Sequence, residues 1–141
     1  MNDNKQFFVA LKGAVFYNNK FLLIKRSNQS RGEHGFWEFP GGRMEFGEIP
    51  EETLDRELLE EVGLRVKIIK PVDTWSFCRD ESTQIVGITY LCHADTGEVK
   101  LSEEHVDFAW VTIENIRNYN VKPNIIDQIE RWYKREGFVC Q

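Results

Sequence analysis

The segment from Gly42 to Leu64, GRMEFGEIPEETLDRELLEEVGL, constrains the fold of this chain more than any other. Pro50 suits the first position of an α-helix, Glu51 and Glu52 suit the positive end of its dipole, and Gly63 is a natural left-handed stop. Ile49 stands at the N-cap, where Ser or Thr would add about 1 kcal/mol, so the start departs from the best capping choice. Between these bounds Leu54, Leu58 and Val62 recur at i, i+4 and i+8 and form an apolar stripe. Glu57, Glu60 and Glu61 stand at i, i+3 and i+4, with a mean direction roughly 100° from that stripe. The helix therefore buries one face and shows a carboxylate cluster on another. Like charges so crowded repel unless something cationic sits before them. Oxygen ligands alone suit a hard cation, Mg²⁺ or Mn²⁺, which typically shares its shell with substrate phosphate. The chemistry implied is metal-assisted attack of water on phosphorus.

The rest of the chain supplies a surface for that stripe. Phe7 to Phe16 is apolar and β-prone, interrupted by Lys12 and Gly13. Tyr17-Asn18-Asn19-Lys20 reads as a hairpin turn, because Asn tolerates positive φ, and Phe21 to Ile24 as the returning strand. Ser27 to Gly35 is a polar loop, Trp37 to Phe39 is short and extended, and Pro40-Gly41-Gly42 breaks it. Arg43 to Phe46 extends again. Arg65 to Ile69 and Thr74 to Phe77 read as strand pieces around Pro71. Thr83 to His93 is a strong strand, Asp95-Thr96-Gly97 a turn, and Val106 to Thr112 another strand. Pro123 to Lys134 is a second helix, with Ile125, Ile126, Ile129, Trp132 and Tyr133 on its apolar face. Strands, helix, strands, helix in one chain of 141 residues predict a single α/β (α+β) domain spanning 1–141, with a mixed sheet between helices.

The net charge of −5 argues against polymeric nucleic acid as partner, since such binding needs a basic patch. It is compatible with a single nucleotide whose phosphates arrive with metal. The N-terminal residues lack the pattern of a secretory leader, and no apolar run has the length of a membrane span. Cys78, Cys92 and Cys140 are odd in number and form no closely spaced pair, which predicts free thiols and a reducing cytoplasm.

Written as a pattern, the segment is glycine, five residues, Glu48, seven residues, then Arg56-Glu57-Leu58-Leu59-Glu60-Glu61-Val62-Gly63-Leu64. This resembles the Nudix box, the signature of the Nudix hydrolases, at every fixed position. The preceding Phe36-Trp37-Glu38-Phe39-Pro40-Gly41 is similar to the lead-in of the MutT-type branch. A solvated acidic helix would account for the charge run. It would not account for Gly42, Gly63 and Arg56 at fixed offsets. The resemblance covers nearly the whole domain and implies the Nudix α/β/α sandwich. It also implies that Glu57, Glu60 and Glu61 hold Mg²⁺ (or Mn²⁺), joined by the backbone carbonyl of Gly42 or Gly41. Glu57 or Glu60 would orient or deprotonate the attacking water; both roles need an ionised carboxylate, so the sequence leaves them open. Arg56 cannot deprotonate and is expected to orient the carboxylates together with Glu48. Homodimers are common in the family, though no segment here announces an interface.

Outside the box, the resemblance suggests a catalytic or metal-binding role for Glu104 in Leu101-Ser102-Glu103-Glu104-His105; a solvated loop is the competing reading. His105 is either an acid–base group or a structural histidine. By the same resemblance Lys25 or Arg26 contacts the substrate phosphates. In the MutT-type branch an Asn before the last helix reads the purine edge, and Asn124 stands in a similar place. An amide offers the needed donor and acceptor, and would serve equally as a helix N-cap. Phe36, Trp37 and Phe77 are candidates for stacking on a base or for the core. ADP-ribose pyrophosphatases often carry a proline about sixteen positions past the box, where this chain has Asp80 and Glu81. Nor does it show the tyrosine of dinucleoside polyphosphate enzymes. The expected activity is hydrolysis of a (deoxy)nucleoside triphosphate, ordinary or oxidised (8-oxo-dGTP, for instance), to monophosphate and pyrophosphate. The alternatives are an ADP-ribose or nucleotide-sugar pyrophosphatase, and a nucleotide-sensing module without turnover. The last commonly loses box carboxylates, and Glu57, Glu60 and Glu61 are all present here.

Overall fold

A computed structural model describes residues 4–27 and 35–138. Seven strands and two helices follow in the order β1 (Gln6–Tyr17), β2 (Lys20–Arg26), β3 (Trp37–Glu38), β4 (Gly41–Arg43), α1 (Pro50–Val62), β5 (Val66–Cys78), β6 (Thr83–Ala94), β7 (His105–Val111) and α2 (Pro123–Arg135). A short 3₁₀ turn, Ile116–Asn118, precedes α2. All strands belong to one mixed sheet. β1 runs parallel to β6, and the remaining pairings are antiparallel.

The alternation of β1 divides its side chains between two cores. Leu11 and Val15 face α1, where they meet Leu22, Ile24, Leu54, Leu58, Val62 and Cys92. Ala14 and Phe16 face α2, with Phe21, Leu23, Val111, Ile126, Ile129 and Trp132. A sheet covered on both faces is the α/β/α sandwich expected. The stripe of α1 is buried completely, Leu54, Leu58 and Val62 each at 0% exposure. Each contributes on the order of 1.5–3 kcal/mol by leaving water.

The β1–β2 turn is tight because Asn18 (φ 53°) and Asn19 (φ 62°) both adopt left-handed geometry, as a two-residue hairpin of matching twist requires. The two strands then separate. They pair only through Phe16↔Phe21 and Tyr17↔Lys20. Further along, Ala10–Lys12 of β1 pairs with β4, while Ile24 and Lys25 of β2 pair with β3. The sheet is thus split by a wedge, and the short β3–β4 segment threads through it.

Two expectations are corrected here. Pro40-Gly41-Gly42 was expected as a break and Arg43 to Phe46 as the extension; instead Gly41–Arg43 is itself a strand, and only Arg43 of the second stretch belongs to it. Glycine is what permits this. Gly41 has φ 148°, and a Cβ there would run into the Leu11 carbonyl of β1. Pro71 does not divide two pieces either, because β5 is continuous from Val66 to Cys78. β5 pairs with β6 alone at the edge of the sheet, and its register shifts on both sides of Pro71. An edge strand with bulges tolerates a residue lacking an N–H.

Candidate active site

The box residues gather where the wedge meets the last turns of α1. The start of α1 is fixed locally. The Ile49 N–H donates to Glu52 Oε1 at 3.0 Å, which supplies half of a capping box despite the apolar cap. Glu48, just before the helix, accepts from the Glu45 N–H (2.9 Å), the Thr53 hydroxyl (2.9 Å) and both Nε and Nη2 of Arg56 (2.8 and 2.9 Å). The Arg56 fork beside it holds the Glu48 carboxyl down at about 2. In turn Glu48, with Glu57, raises the guanidinium of Arg56 above its ordinary value. The other side of the fork reaches Glu57 Oε1 at 2.8 Å and Glu60 Oε2 at 3.6 Å. Arg56 therefore stands among the acids of its own helix face and supplies the cation their spacing requires.

The three box carboxylates differ in setting. Glu57 lies against Gly42, where a Cβ would overlap its carboxylate; the missing side chain is what lets this acid touch backbone. Glu60 points outward, its side chain 60% exposed. Glu61 turns inward at 9% exposure and accepts the Gly41 N–H at 2.7 Å. Burial raises the Glu61 pKa, and Lys12 and the Gly41 amide oppose that rise. The three acids thus share one helix face, as their spacing requires, yet stand in different settings. Among the described residues no three His, Cys, Asp or Glu side chains converge tightly enough to enclose an ion. The reason lies in competing donors: Arg56 holds Glu57, and the Gly41 amide holds Glu61.

Behind Glu61 the wedge is filled by charge. Glu38 of β3 receives Arg26 Nε at 2.7 Å and lies 3.6 Å from Lys12 Nζ. Although burial alone would raise it, its carboxyl is held well below the usual range by Lys12, the facing His105 ring and Arg26. His105, opening β7, is 1% exposed; its Nε2 lies 3.7 Å from Glu61 Oε2 and 4.0 Å from Glu38 Oε1. Sequence reasoning did not single out Lys12 or Glu38. The available signal was Lys12 itself, a lone charge inside an apolar strand.

The remaining candidates scatter. Lys25 Nζ sits 6.0 Å from the Trp37 ring centroid, and Arg26 is engaged with Glu38. Glu104 is exposed, and its carbonyl accepts the Ser27 N–H, tying the approach to β7 to the end of β2. Asn124 is exposed inside the first turn of α2, so it is not the N-cap; Lys122 holds that position. Asn120, before the helix, donates to the Gly35 carbonyl at 3.3 Å. Trp37 meets Tyr119 edge-on and joins the α2-side core. Phe77 is half exposed and stacks on Trp75. Trp75, which the sequence reading passed over, lies flat on Gly87 and donates its indole N–H to Thr89. The rest of the polar loop, and Cys140, fall outside the described residues.

Comparison with known proteins bears on the family and the fold. The NUDIX domain model matches residues 12–133. A nucleoside triphosphatase NudI of Enterobacter sp. is 34% identical over 117 residues, covering 74% of this chain and 81% of the relative. The protein of the same name from an Escherichia coli strain is 31% identical over 112 residues, 72% and 79% of the two chains. The crystal structure of a MutT protein from Methanosarcina mazei Go1 superposes with a TM-score of 0.84 at 26% identity, covering 94% of this chain and 97% of that one. The chain belongs to the Nudix family.

Proposed function

We propose that this protein is a Mg²⁺-dependent hydrolase that cleaves a (deoxy)nucleoside triphosphate to the monophosphate and pyrophosphate. The observation carrying this reading is the Arg56-centred carboxylate array set against Gly41-Gly42, with Glu57 lying directly on backbone and Glu60 open to solvent. The names of the relatives at 34% and 31% identity support the triphosphate as substrate class.

The donor set fits a hard divalent ion. It is made only of oxygen, it is anionic, and the absent Cβ of Gly42 lets the Glu57 carboxylate lie against the backbone. Glu57, Glu60 and Glu61 with the Gly42 carbonyl would hold it; Mn²⁺ suits the same donors. Such an ion lowers the pKa of bound water and offsets the charge of the phosphates. The protein's own groups do the rest. Arg56 fixes Glu57 through one arm and Glu48 through the other, so the acids are oriented before substrate arrives. Glu57 or Glu60 takes the proton of the attacking water, and both stand on the side of α1 that Arg56 orders. Lys25 or Arg26, at the end of β2, meets phosphate oxygens. Glu104 flanks the site from the β7 approach, and Asn124 reads the base from the first turn of α2. The free thiols of Cys78 and Cys92 suit a cytoplasmic protein.

The test is product analysis with Mg²⁺ on a panel of ordinary and oxidised (deoxy)nucleoside triphosphates, ADP-ribose, a sugar nucleotide and a dinucleoside polyphosphate. Pyrophosphate release from a triphosphate is expected. Cleavage confined to ADP-ribose or a sugar nucleotide would overturn the substrate class. Binding without turnover would overturn the activity.

A further inference from the structure

Among the described residues, His105 Nε2 is the buried side-chain polar atom without a hydrogen-bond partner. Its ring is enclosed, and its other nitrogen, Nδ1, lies 3.4 Å from the Ser102 hydroxyl. A hydroxyl donating to Nδ1 leaves the ring proton on Nε2. That N–H faces two carboxylates, Glu61 Oε2 at 3.7 Å and Glu38 Oε1 at 4.0 Å. The two are not equal competitors. Glu38 Oε1 already accepts Arg26, and Glu38 Oε2 lies beside Lys12. Glu61 is held at one oxygen, by the Gly41 N–H on Oε1, and its Oε2 is the acceptor left for His105. A buried N–H standing just beyond bonding distance of an uncommitted carboxylate oxygen is a donor waiting for a small rotation, because burying it unpaired carries a free-energy penalty.

We propose that His105 is a positioning residue for Glu61, its Nε2–H fixing the second carboxylate oxygen when that acid is called on as a ligand. The inference rests on the metal-holding role assigned above to Glu61. With Gly41 on Oε1 and His105 on Oε2, the carboxylate keeps one orientation, and each oxygen retains a lone pair for a cation. The imidazole also stands between Glu38 and Glu61, so the cluster of Lys12 in mid-β1 with Arg26 and Glu38 at the ends of β2 and β3 is joined to the ligand on α1. Donors that orient ligating groups in this way change metal affinity or activity about 10–100-fold. A merely structural core histidine would be replaceable by an apolar side chain of similar size without such an effect.

Two variants separate these roles. His105→Leu fills the same space without a donor, whereas His105→Gln keeps an amide N–H at a similar reach. For His105→Leu we expect Mn²⁺ affinity, read by electron paramagnetic resonance without substrate, to fall at least about tenfold. Its kcat should fall similarly with KM nearly unchanged, while thermal stability holds. The Gly41 amide resonance should move, since that N–H is bonded to the acid that loses its second anchor. His105→Gln should restore all three. Mn²⁺ affinity and a Gly41 resonance unchanged in His105→Leu would overturn the proposal, as would a Gln variant as defective as the Leu variant. If neither variant folds, ¹⁵N spectra of the parent imidazole decide. A proton on Nε2 is required, and a ring whose sole proton is on Nδ1 refutes it. A parent that binds no Mn²⁺ would sink the metal reading, and the Gly41 resonance would still judge this one.

Discussion

The two helices cover opposite faces of the same sheet and are built to different rules. α2 buries Ile126, Ile129 and Trp132 among the aromatic rings of Phe21, Tyr133 and Phe138, and its polar residues face solvent. α1 buries Leu54, Leu58 and Val62 just as fully, yet it also turns Glu61 inward and ranges Glu57 and Glu60 about Arg56. The difference teaches where stability and chemistry lie. α2 satisfies its apolar pattern and little else. In α1 the apolar stripe does the anchoring, which lets the adjoining face carry a charge arrangement that would destabilise a free helix.

Breaking this contrast on the α1 side should abolish turnover and leave the fold intact. Glu60→Gln removes an exposed charge, so steady-state pyrophosphate release should drop by about 10²–10⁴ while the melting temperature stays within a few degrees. A variant that melts early but keeps its turnover would contradict the division. The reciprocal change is Trp132→Ala, which deletes a ring with 1% exposure and should cost about 3–5 kcal/mol in urea unfolding. Activity per folded molecule should persist.

Gly42→Ala sharpens the comparison within the α1 side. The added methyl overlaps the Glu57 carboxylate, the end of a flexible side chain, so Glu57 should be displaced with little loss of stability. Mn²⁺ affinity, measured by titration calorimetry, should weaken about 10–100-fold. The smallest effect concerns pH. Glu48 is lowered from 4.5 to about 2 by Arg56, so its stabilising contribution is complete above pH 4.5 and is lost as pH falls towards 2. Melting curves over that window should fall for the parent and flatten for Glu48→Gln. A parallel fall in both would show that other carboxylates govern acid unfolding.

The sequence disclosed what is local. Leu54, Leu58, Val62 and Gly63 declared α1 and its end, and Asn18-Asn19 declared the hairpin. The partnership of Arg56 with Glu48 came from the family resemblance, because Glu48 precedes the helix and helical spacing alone does not pair them. Long-range placement was hidden. Gly41-Gly42 looked like a break because only the close passage of β1 makes it a strand, and Pro71 looked like an interruption because nothing local marks β5 as an edge. Lys12, Glu38 and His105 come from strands far apart in the chain, and no periodicity signals that the wedge gathers them. The three box acids share a helix face, but the amide of Gly41 draws one of them inward, and that amide comes from another strand.

The wedge between β1 and β2 has a mechanical meaning as well. The strands share only Phe16↔Phe21 and Tyr17↔Lys20, so the sheet resembles two stiff plates joined along a short seam. On one plate β1 is locked to β6 along most of its length, and on the other β2 is locked to β7. Between the plates the holding elements are side-chain charges and two short strands in place of a continuous ladder. Strain applied to this molecule should therefore open it first along the cleft. Amide hydrogens of Gly41 and Gly13, which donate to Glu61 and to the Pro40 carbonyl across that gap, would exchange ahead of those in either plate.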